Sequence, residues 1–402
     1  MLLEFTVGNF LSFKNKKTLS LEAGRITELK ENIKQKGKYK VLRSAVIYGA
    51  NSSGKSNFIK ALDFMITTVQ LSSKLNSTDK FNVRPFLLNT ETENLPSYFE
   101  VLFFIEENLY RYGFELNNTT IHSEWLYISN ENSKKEEVCF IRNLEGIGVA
   151  ENFKGATGLE EKTRSNALFI SVLDQFNNEI ANKVMNKFKM TTIVSGLAHE
   201  ESINMTDAMY NLNTYKSNVE EFIKNLDLGF KSFNIDVDEK KKFKDRLLTI
   251  HNKYNNKGEV VEKLEFNMKD QESSGTNKIF DICGDILFAH GFGETLIIDE
   301  LDAKLHPILT QAIIKLFNNK DTFDSGQLIF STHDTNLLGS NLFRRDQIWF
   351  TEKDDFEATD LYSLLEFKDE SGKTIRNDRS FESDYIRGRY GAIPYIANYQ
   401  KI

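Results

Sequence analysis

Apolar residues along the chain alternate between the spacing of strands and that of helices. Residues 2–7 and 17–21 alternate with polar neighbours and predict a β-hairpin at the start of the sequence. The apolar stretch 45–48 predicts a buried strand, and residues 58–66 have the spacing of an amphipathic helix. A glycine- and serine-rich loop lies between them, so the sequence predicts strand, loop and helix in that order.

The middle of the chain changes from a strand pattern to a helix pattern. Apolar and polar residues alternate in segments of residues 98–128 that are separated by Asn-rich turns. This pattern predicts an antiparallel meander. Residues 166–226 have helical spacing without a sustained heptad repeat, which predicts a compact helical insert rather than a coiled coil. Three further strands are predicted at residues 233–237, 247–251 and 263–268.

The last third returns to strands that alternate with helices. A helix is predicted after Gly275, a strand at 295–298, a helix at 307–317 and a strand at 327–330. This alternation predicts an α/β fold around a mostly parallel sheet.

These changes of pattern divide the sequence into four segments. We expect residues 1–75 to form an N-terminal lobe that contains the glycine-rich loop, and residues 76–160 to form an antiparallel β subdomain. Residues 161–230 are expected to form the helical insert, and residues 231–402 the C-terminal lobe with a basic tail.

Composition and charge narrow the class of protein. The 402 residues are 40% hydrophobic and 27% charged, which predicts a folded chain with a sizeable core. The net charge of −7 argues against a uniformly basic surface that coats nucleic acid. The only cysteines, Cys139 and Cys283, are far apart in the sequence and have no neighbouring ligand-type spacing, so neither a disulfide framework nor a zinc site is expected to organise the fold. Because the apolar runs are too short to span a bilayer, we expect a cytoplasmic protein with no membrane partner.

The loop GANSSGKS matches the pattern G-x-x-x-x-G-K-[ST] and lies between a predicted strand and a predicted helix. Its glycines let the backbone N–H groups point inward, and the helix N-terminus adds positive potential, which makes a cradle for a β-phosphate. We expect Lys55 to bridge the β- and γ-phosphates and Ser56 to bind Mg²⁺. The predicted nucleotide-binding residues of this loop are Gly49, Asn51, Ser52, Ser53, Gly54, Lys55, Ser56 and Asn57.

A second candidate motif is the acidic pair Asp299 and Glu300, which ends the apolar strand 295–298. We expect Asp299 to hold Mg²⁺, directly or through water, and Glu300 to polarise the attacking water as a general base. An apolar strand that ends in two acids is common by itself. Its pairing with the glycine-rich loop makes it a candidate site.

His333 follows the strand at 327–330 and is therefore predicted at the same edge of the sheet. A single histidine more often has a structural role, but this position favours a hydrogen bond to the γ-phosphate. The predicted catalytic residues are thus Lys55, Glu300 and His333.

Taken in order, GANSSGKS, ESSGT, TLIIDELDAKLHP and FSTHD resemble the head shared by ABC-type, Rad50/SMC-like and RecF-like ATPases. The resemblance implies a P-loop NTPase fold of the ABC-ATPase head type, with ATP and Mg²⁺ as cofactors. It implies that Ser273, Ser274 and Gly275, in the signature segment 272–276, contact ATP bound by the other subunit of a homodimer. It also places Asp302 in the D-loop at the dimer interface.

The signature segment departs from the family's L-S-G-G pattern, because Glu272 replaces Leu and Ser274 replaces Gly. The glutamine of the family's Q-loop is not identified, since Gln70 is poorly placed for it.

A narrower resemblance rests on VGNFLSFK, YRYGFE, NALFIS, DELDAKLHP, RRDQIWF and YIRGRYGAIP. These segments are similar to stand-alone ABC-type ATPases of bacterial phage-defence loci, related to RloA, AbiLi, PARIS AriA and OLD-family heads. OLD-family relatives carry a C-terminal Toprim nuclease, for which the sequence leaves no room after Pro394. The resemblance therefore implies a sensor and scaffold that controls a separately encoded effector, a Toprim nuclease or a toxin. DNA or a phage protein is the expected trigger.

Two alternatives remain open at this point. A RecF-like head in DNA repair would clamp DNA through local cations such as Lys14, Lys16 and Lys17, with salt-sensitive binding. A non-enzymatic interaction protein would retain ATP only as a structural ligand and would show negligible turnover.

Overall fold

The computed structural model of the protein describes residues 1–394 except 134, 197–202, 227, 237, 239–242, 320–325, 369–371 and 373. Val237, which ends a predicted strand, and the end of the basic tail lie outside the described residues. Within the described part of the chain, no helix combines the length and the apolar character needed to cross a bilayer.

Strands and helices follow one another along the chain. The strands are β1 (Leu2–Gly8), β2 (Lys17–Ser20), β3 (Ile33–Lys36), β4 (Tyr39–Leu42), β5 (Ser44–Gly49), β6 (Ser97–Ile105), β7 (Asn108–Leu116), β8 (Ile121–Asn130), β9 (Glu137–Arg142), β10 (Ile147–Val149), β11 (Thr192–Ser195), β12 (Ser232–Ile235), β13 (Leu247–Tyr254), β14 (Val260–Asn267), β15 (Thr295–Asp299), β16 (Gln327–Ser331), β17 (Ile348–Lys353) and β18 (Thr359–Ser363). The helices are α1 (Lys55–Leu71), α2 (Phe169–Gln175), α3 (Glu179–Met190), α4 (Ile203–Asn211), α5 (Asn213–Asn225), α6 (Met268–Gln271), α7 (Ser274–Phe292), α8 (Pro307–Asn318), α9 (Asn336–Gly339) and α10 (Phe381–Ile386).

The central sheet contains six strands in the order β11-β15-β16-β5-β17-β18. Neighbouring strands from β11 to β17 run parallel, and β18 is antiparallel to β17. Ile47 and Ile329 belong to one buried cluster, whereas their neighbours Val46 and Phe330 belong to another. Both faces of the sheet are therefore covered, as continuous apolar runs indicate for parallel strands. The predicted α/β fold with a mostly parallel sheet is confirmed.

A second sheet has seven antiparallel strands in the order β10-β9-β8-β7-β6-β1-β2. It contains the predicted meander, and β1 extends it by pairing with both β6 and β2. Helix α1 packs against this sheet through Phe58, whose ring centroid lies 5.3 Å from that of Phe5. The same helix contacts β5 and β15 of the central sheet. Helix α1 is therefore held from both sides.

The segment predicted to be helical contains α2 to α5 and also one strand. Strand β11 pairs in parallel with β15 and forms an edge of the central sheet. The prediction of helix throughout 166–226 is wrong at these residues, because Thr192, Ile193 and Val194 are β-branched and favour a strand. The strand predicted at 263–268 ends earlier, since the Asn267 side chain caps α6.

Glu124 is a fully buried carboxylate that ties the seven-stranded sheet to α2. It accepts hydrogen bonds from Phe169 N at 2.6 Å, from Ile170 N at 3.0 Å and from the Tyr112 hydroxyl at 2.9 Å. The Arg142 guanidinium lies 3.7 Å away. Burial raises the pKa of Glu124, and Arg142 and these hydrogen bonds oppose the rise. The carboxylate is therefore well satisfied but depends on every partner.

We expect Glu124→Ala to lower the free energy of unfolding by about 3–5 kcal/mol, because buried N–H groups lose their acceptor and Arg142 loses its carboxylate. Urea unfolding followed by circular dichroism measures this change. The control Glu107→Ala removes an exposed carboxylate and should cost less than about 0.5 kcal/mol. Equal stabilities of E124A and the wild type would contradict the role given to Glu124.

Candidate functional site

The carboxyl ends of three neighbouring strands form one edge of the central sheet. The order β15-β16-β5 places Asp299 beside Ser331 and Ser331 beside Ile47, and Gly49 follows two residues later at the end of β5. Adjacent strands lie about 4.8 Å apart, so Asp299 is roughly 10 Å from Ile47, which lies two residues before the start of the glycine-rich loop. Ligands of open α/β sheets bind at such an edge. The structure therefore brings the glycine-rich loop, the acidic pair and the strand before His333 together.

The glycine-rich loop packs closely against β17 and β18. A Cβ on Gly49 would collide with Thr351, and one on Gly54 would collide with Thr359. Gly54 also has φ +117°, a left-handed conformation that favours glycine. The Thr359 hydroxyl donates to Ser53 O over 2.9 Å, and the hydroxyls of Ser53 and Thr351 lie 2.7 Å apart. Two threonines that the sequence did not identify thus fix the loop.

Lys55 is buried at the first position of α1 and faces the loop. Its ammonium donates to Gly49 O at 2.7 Å and to Ala50 O at 3.1 Å. Burial lowers the pKa of Lys55, and the carboxylates of Asp299 and Glu300 oppose this. The cation therefore lies among loop carbonyls close to the acidic pair, where an incoming phosphate can become its partner.

The other predicted residues of the loop differ in their surroundings. Asn51 and Ser52 are exposed, and Ser56 is half-buried in the first turn of α1. Asn57 donates from Nδ2 to the Ser12 hydroxyl at 2.8 Å, so its side chain is held by the protein itself. A role for each in nucleotide binding stays a prediction.

Ser331 organises the acidic pair through its buried hydroxyl. This hydroxyl donates to Asp299 Oδ1 at 2.5 Å and accepts from Glu300 N at 2.8 Å. Glu300 has φ +57°, a left-handed conformation that is uncommon for a non-glycine residue. One buried serine thus fixes the carboxylate of the first acid and the backbone of the second. Ser331 was not predicted as a site residue, because only its position at a strand end is visible in the sequence.

His333 lies near both the glycine-rich loop and the acidic residues. Its backbone N–H donates to the carboxylate of Asp302, at 3.3 Å to Oδ1. Burial and the nearby Lys55 ammonium lower the pKa of His333, while Asp302, Glu300 and Asp299 oppose this. The lowered pKa favours the neutral imidazole, which is able to donate one hydrogen bond.

The signature segment begins α7. Ser273 caps this helix by accepting a hydrogen bond from Thr276 N at 3.1 Å, and Ser274 is the first helical residue. Glu272 accepts hydrogen bonds from Thr249, at 2.5 Å, and from His251, at 2.7 Å, which anchors the segment to β13. Glu272, which departs from the L-S-G-G pattern, is thus held by side chains of β13.

The contacts of Gly275 and Lys278 lead to the turn that follows the acidic pair. A Cβ on Gly275 would meet Lys304 O at 2.7 Å, so only glycine permits this close approach. The Lys278 ammonium is buried and donates to Leu301 O at 2.9 Å and Ala303 O at 2.6 Å. Lys278 is not among the residues predicted from the sequence, because its importance arises from contacts with a turn more than twenty residues away.

The donor set at the edge fits Mg²⁺ in the presence of phosphate. Among the described residues, no group of three or more His, Cys, Asp and Glu side chains is arranged to hold a metal alone. Ser56 supplies a hydroxyl and Asp299 a carboxylate, which are the hard oxygen ligands that Mg²⁺ prefers. When bound, the ion would be held by these two residues and phosphate oxygens and would neutralise phosphate charge.

A protein-family model matches the part of the chain that contains most of the candidate site. A family model described as "AAA domain, putative AbiEii toxin, Type IV TA system" matches residues 44–339, about three quarters of the 402 residues. The matched region includes the glycine-rich loop, the acidic pair and His333. No curated protein matches the chain.

Two solved structures similar to the chain are head domains. One, described as the SmcHead bound to the C-winged helix domain of ScpA, shares 15% identity at a TM-score of 0.48 and covers 90% of this chain and 97% of that chain. The SMC head domain from Thermotoga maritima shares 14% identity at a TM-score of 0.41 and covers 90% of this chain and 98% of that chain.

We expect His333 to titrate below pH 6.5 and its pKa to rise in Lys55→Met, because the variant removes the nearby positive charge. Proton NMR titration of the imidazole C2–H resonances measures both effects. His290, whose pKa is lowered by its burial in α7, provides the control resonance, and its pKa should be the same in both proteins. An unchanged His333 midpoint in K55M would show that the two side chains are not electrostatically coupled.

Proposed function

The chain belongs to the AAA-domain family whose model spans residues 44–339, and on this premise we propose that it binds and hydrolyses ATP. The observation that carries the proposal is the convergence of Lys55, Asp299, Glu300 and His333 at one edge of the parallel sheet. This edge brings a phosphate-binding loop close to acids and a neutral imidazole. Together these groups can catalyse the transfer of a phosphoryl group to water.

In the proposed complex, the triphosphate lies along the glycine-rich loop. The γ-phosphate oxygens replace the carbonyls of Gly49 and Ala50 as acceptors for the Lys55 ammonium. Ser56 and Asp299 would hold Mg²⁺, which would neutralise phosphate charge. The positive end of α1 adds to the attraction, because its first N–H groups face the loop.

Hydrolysis is assigned to Glu300 and His333. The water oxygen bonds to the γ-phosphorus while the bond from that phosphorus to the β–γ bridging oxygen breaks, and ADP and phosphate leave. Glu300 accepts a proton from the attacking water, and its backbone is fixed by the hydrogen bond from its N–H to Ser331. His333 donates a hydrogen bond to the γ-phosphate and so stabilises the charge that changes on this phosphate during hydrolysis. These roles require no movement of Asp299, whose carboxylate is already oriented by Ser331.

We further propose that ATP joins two copies of the chain. Ser273 caps α7, and Gly275 packs against the turn after Glu300. Ser273 and Ser274 are exposed, so the N-terminus of α7 is available to a phosphate of the partner's nucleotide. A two-fold arrangement then gives each site a glycine-rich loop from one copy and a signature segment from the other. Asp302 lies at this interface in the proposed dimer.

The biological role that fits best is a sensor and scaffold in phage defence. The family description names a toxin of a toxin–antitoxin system, and several segments resemble defence ATPases. ATP-dependent closure would hold a separately encoded effector, a Toprim nuclease or toxin, and a DNA or phage-protein trigger would release it. DNA repair is less favoured, because Lys16 and Lys17 pair with Glu115 and Asp360 within the chain.

We expect Glu300→Gln to bind ATP and Mg²⁺ normally, to remain dimeric while ATP is present, and to hydrolyse ATP 10²–10⁴-fold more slowly than the wild type, on the order expected for loss of a general base. Light scattering after size-exclusion chromatography and phosphate release measure the two properties. A monomeric E300Q protein in saturating ATP would contradict the proposed dimer.

We expect Lys55→Ala to weaken ATP binding on the order of 100-fold, which corresponds to about 2.7 kcal/mol, because charge-assisted hydrogen bonds to phosphate are lost. Isothermal titration calorimetry measures the affinity. Lys60→Ala, an exposed residue of the same helix, is the control and should bind ATP like the wild type. Equal affinity of K55A and K60A would refute the assignment of the loop.

A further inference from the structure

Lys278 is a buried cation that joins α7, the helix that begins within the signature segment, to the turn after Glu300. Its side chain is 3% exposed, and its ammonium donates to Glu300 O at 3.3 Å, Leu301 O at 2.9 Å and Ala303 O at 2.6 Å. An ammonium has three donors, so this set of carbonyls matches its full capacity. These three contacts make Lys278 a polar link between α7 and residues 300–303 of this turn.

The charge on Lys278 is retained at neutral pH. Burial lowers the pKa of Lys278 to about 8, while the carboxylates of Asp302 and Glu300 oppose the decrease. The ammonium is therefore mostly protonated at pH 7, and all three donors are present. A buried cation of this kind persists because carbonyl oxygens take the place of water.

The contact is made at the residue whose orientation matters most for hydrolysis. Glu300 is in the left-handed conformation, with φ +57°. Its N–H donates to Ser331 Oγ, and its carbonyl accepts from Lys278. Because an unfavourable backbone conformation persists only when its surroundings hold it, loss of the Lys278 contact should let Glu300 relax.

The same helix presents the signature segment. Ser274 and Lys278 are four residues apart in α7, so their side chains lie on the same face of the helix. Gly275 lies directly against Lys304 O, at the other end of the turn. A shift of the first turn of α7 would therefore reach the backbone of Glu300 through two adjacent contacts.

We propose that Lys278 makes hydrolysis in one site of the dimer depend on ATP in the other site. The inference rests on the proposed function. Ser274 of one chain contacts the ATP that is held by the partner, while Lys278 on the same helix positions Glu300. Glu300 acts on the ATP bound to Lys55 of its own chain. Lys278 is thus a positioning residue, which couples the two sites without touching either nucleotide.

The test compares Lys278→Met, which keeps length but removes the donors, with Lys278→Gln, which keeps amide donors. Initial rates are measured against ATP concentration. We expect a Hill coefficient above 1 for the wild type. K278M should have a Hill coefficient near 1 and a kcat at least tenfold lower, with half-saturation changed less than threefold. K278Q should be intermediate. The exposed Lys315→Met on α8 is the control and should match the wild type.

Two further measurements separate this proposal from the proposed function. The double variant E300Q/K278M should still dimerise with ATP, as E300Q does; failure of E300Q itself to dimerise would reject the proposed function. Thermal melting establishes whether K278M is folded. If it is not folded, K278Q is compared with the wild type instead. A wild-type Hill coefficient of 1, or wild-type kcat and Hill coefficient in a folded Lys278 variant, would overturn the coupling.

Discussion

The parallel pairing of β15, β16 and β5 is the constraint on which the candidate site depends. It aligns Ile298 with Phe330, and Ser331 with Ile47, so the ends of these strands meet at one level. From that level, a single serine hydroxyl reaches the acidic pair, and the glycine-rich loop turns over the same edge. A shift of one residue in this pairing would turn the chemistry-bearing side chains to the other face of the sheet.

Local patterns were sufficient to predict the parts of the site that each occupy one short stretch. The glycine-rich loop, the acids after β15 and the histidine after β16 each follow an apolar strand, and the sheet then brings these strand ends together. Thr351, Thr359 and Lys278 were missed because their importance arises from contacts with distant segments, which no local spacing reveals. Strand β11 was missed because four residues are too few for a period to be recognised.

The two sheets give the site a rigid base. Helix α1 begins with Lys55 and packs between them, so the residue that faces the glycine-rich loop is attached to an element held on both sides. Buried polar groups strengthen this framework. Glu124 joins α2 to the antiparallel sheet, and Gln327 at the start of β16 bonds to the backbone of both Leu2 and Leu42. Catalytic side chains on such elements keep their positions better than side chains on free loops.

The closure of the glycine-rich loop by Thr351 and Thr359 has a thermodynamic consequence. The loop is already shaped by these hydroxyls, and Lys55 already faces its interior, before any ligand arrives. Binding therefore exchanges one set of acceptors for another and orders few additional backbone dihedrals, so little conformational entropy is lost. A preorganised pocket of this kind favours rapid binding of the nucleotide. The affinity is then determined mainly by how quickly the nucleotide dissociates.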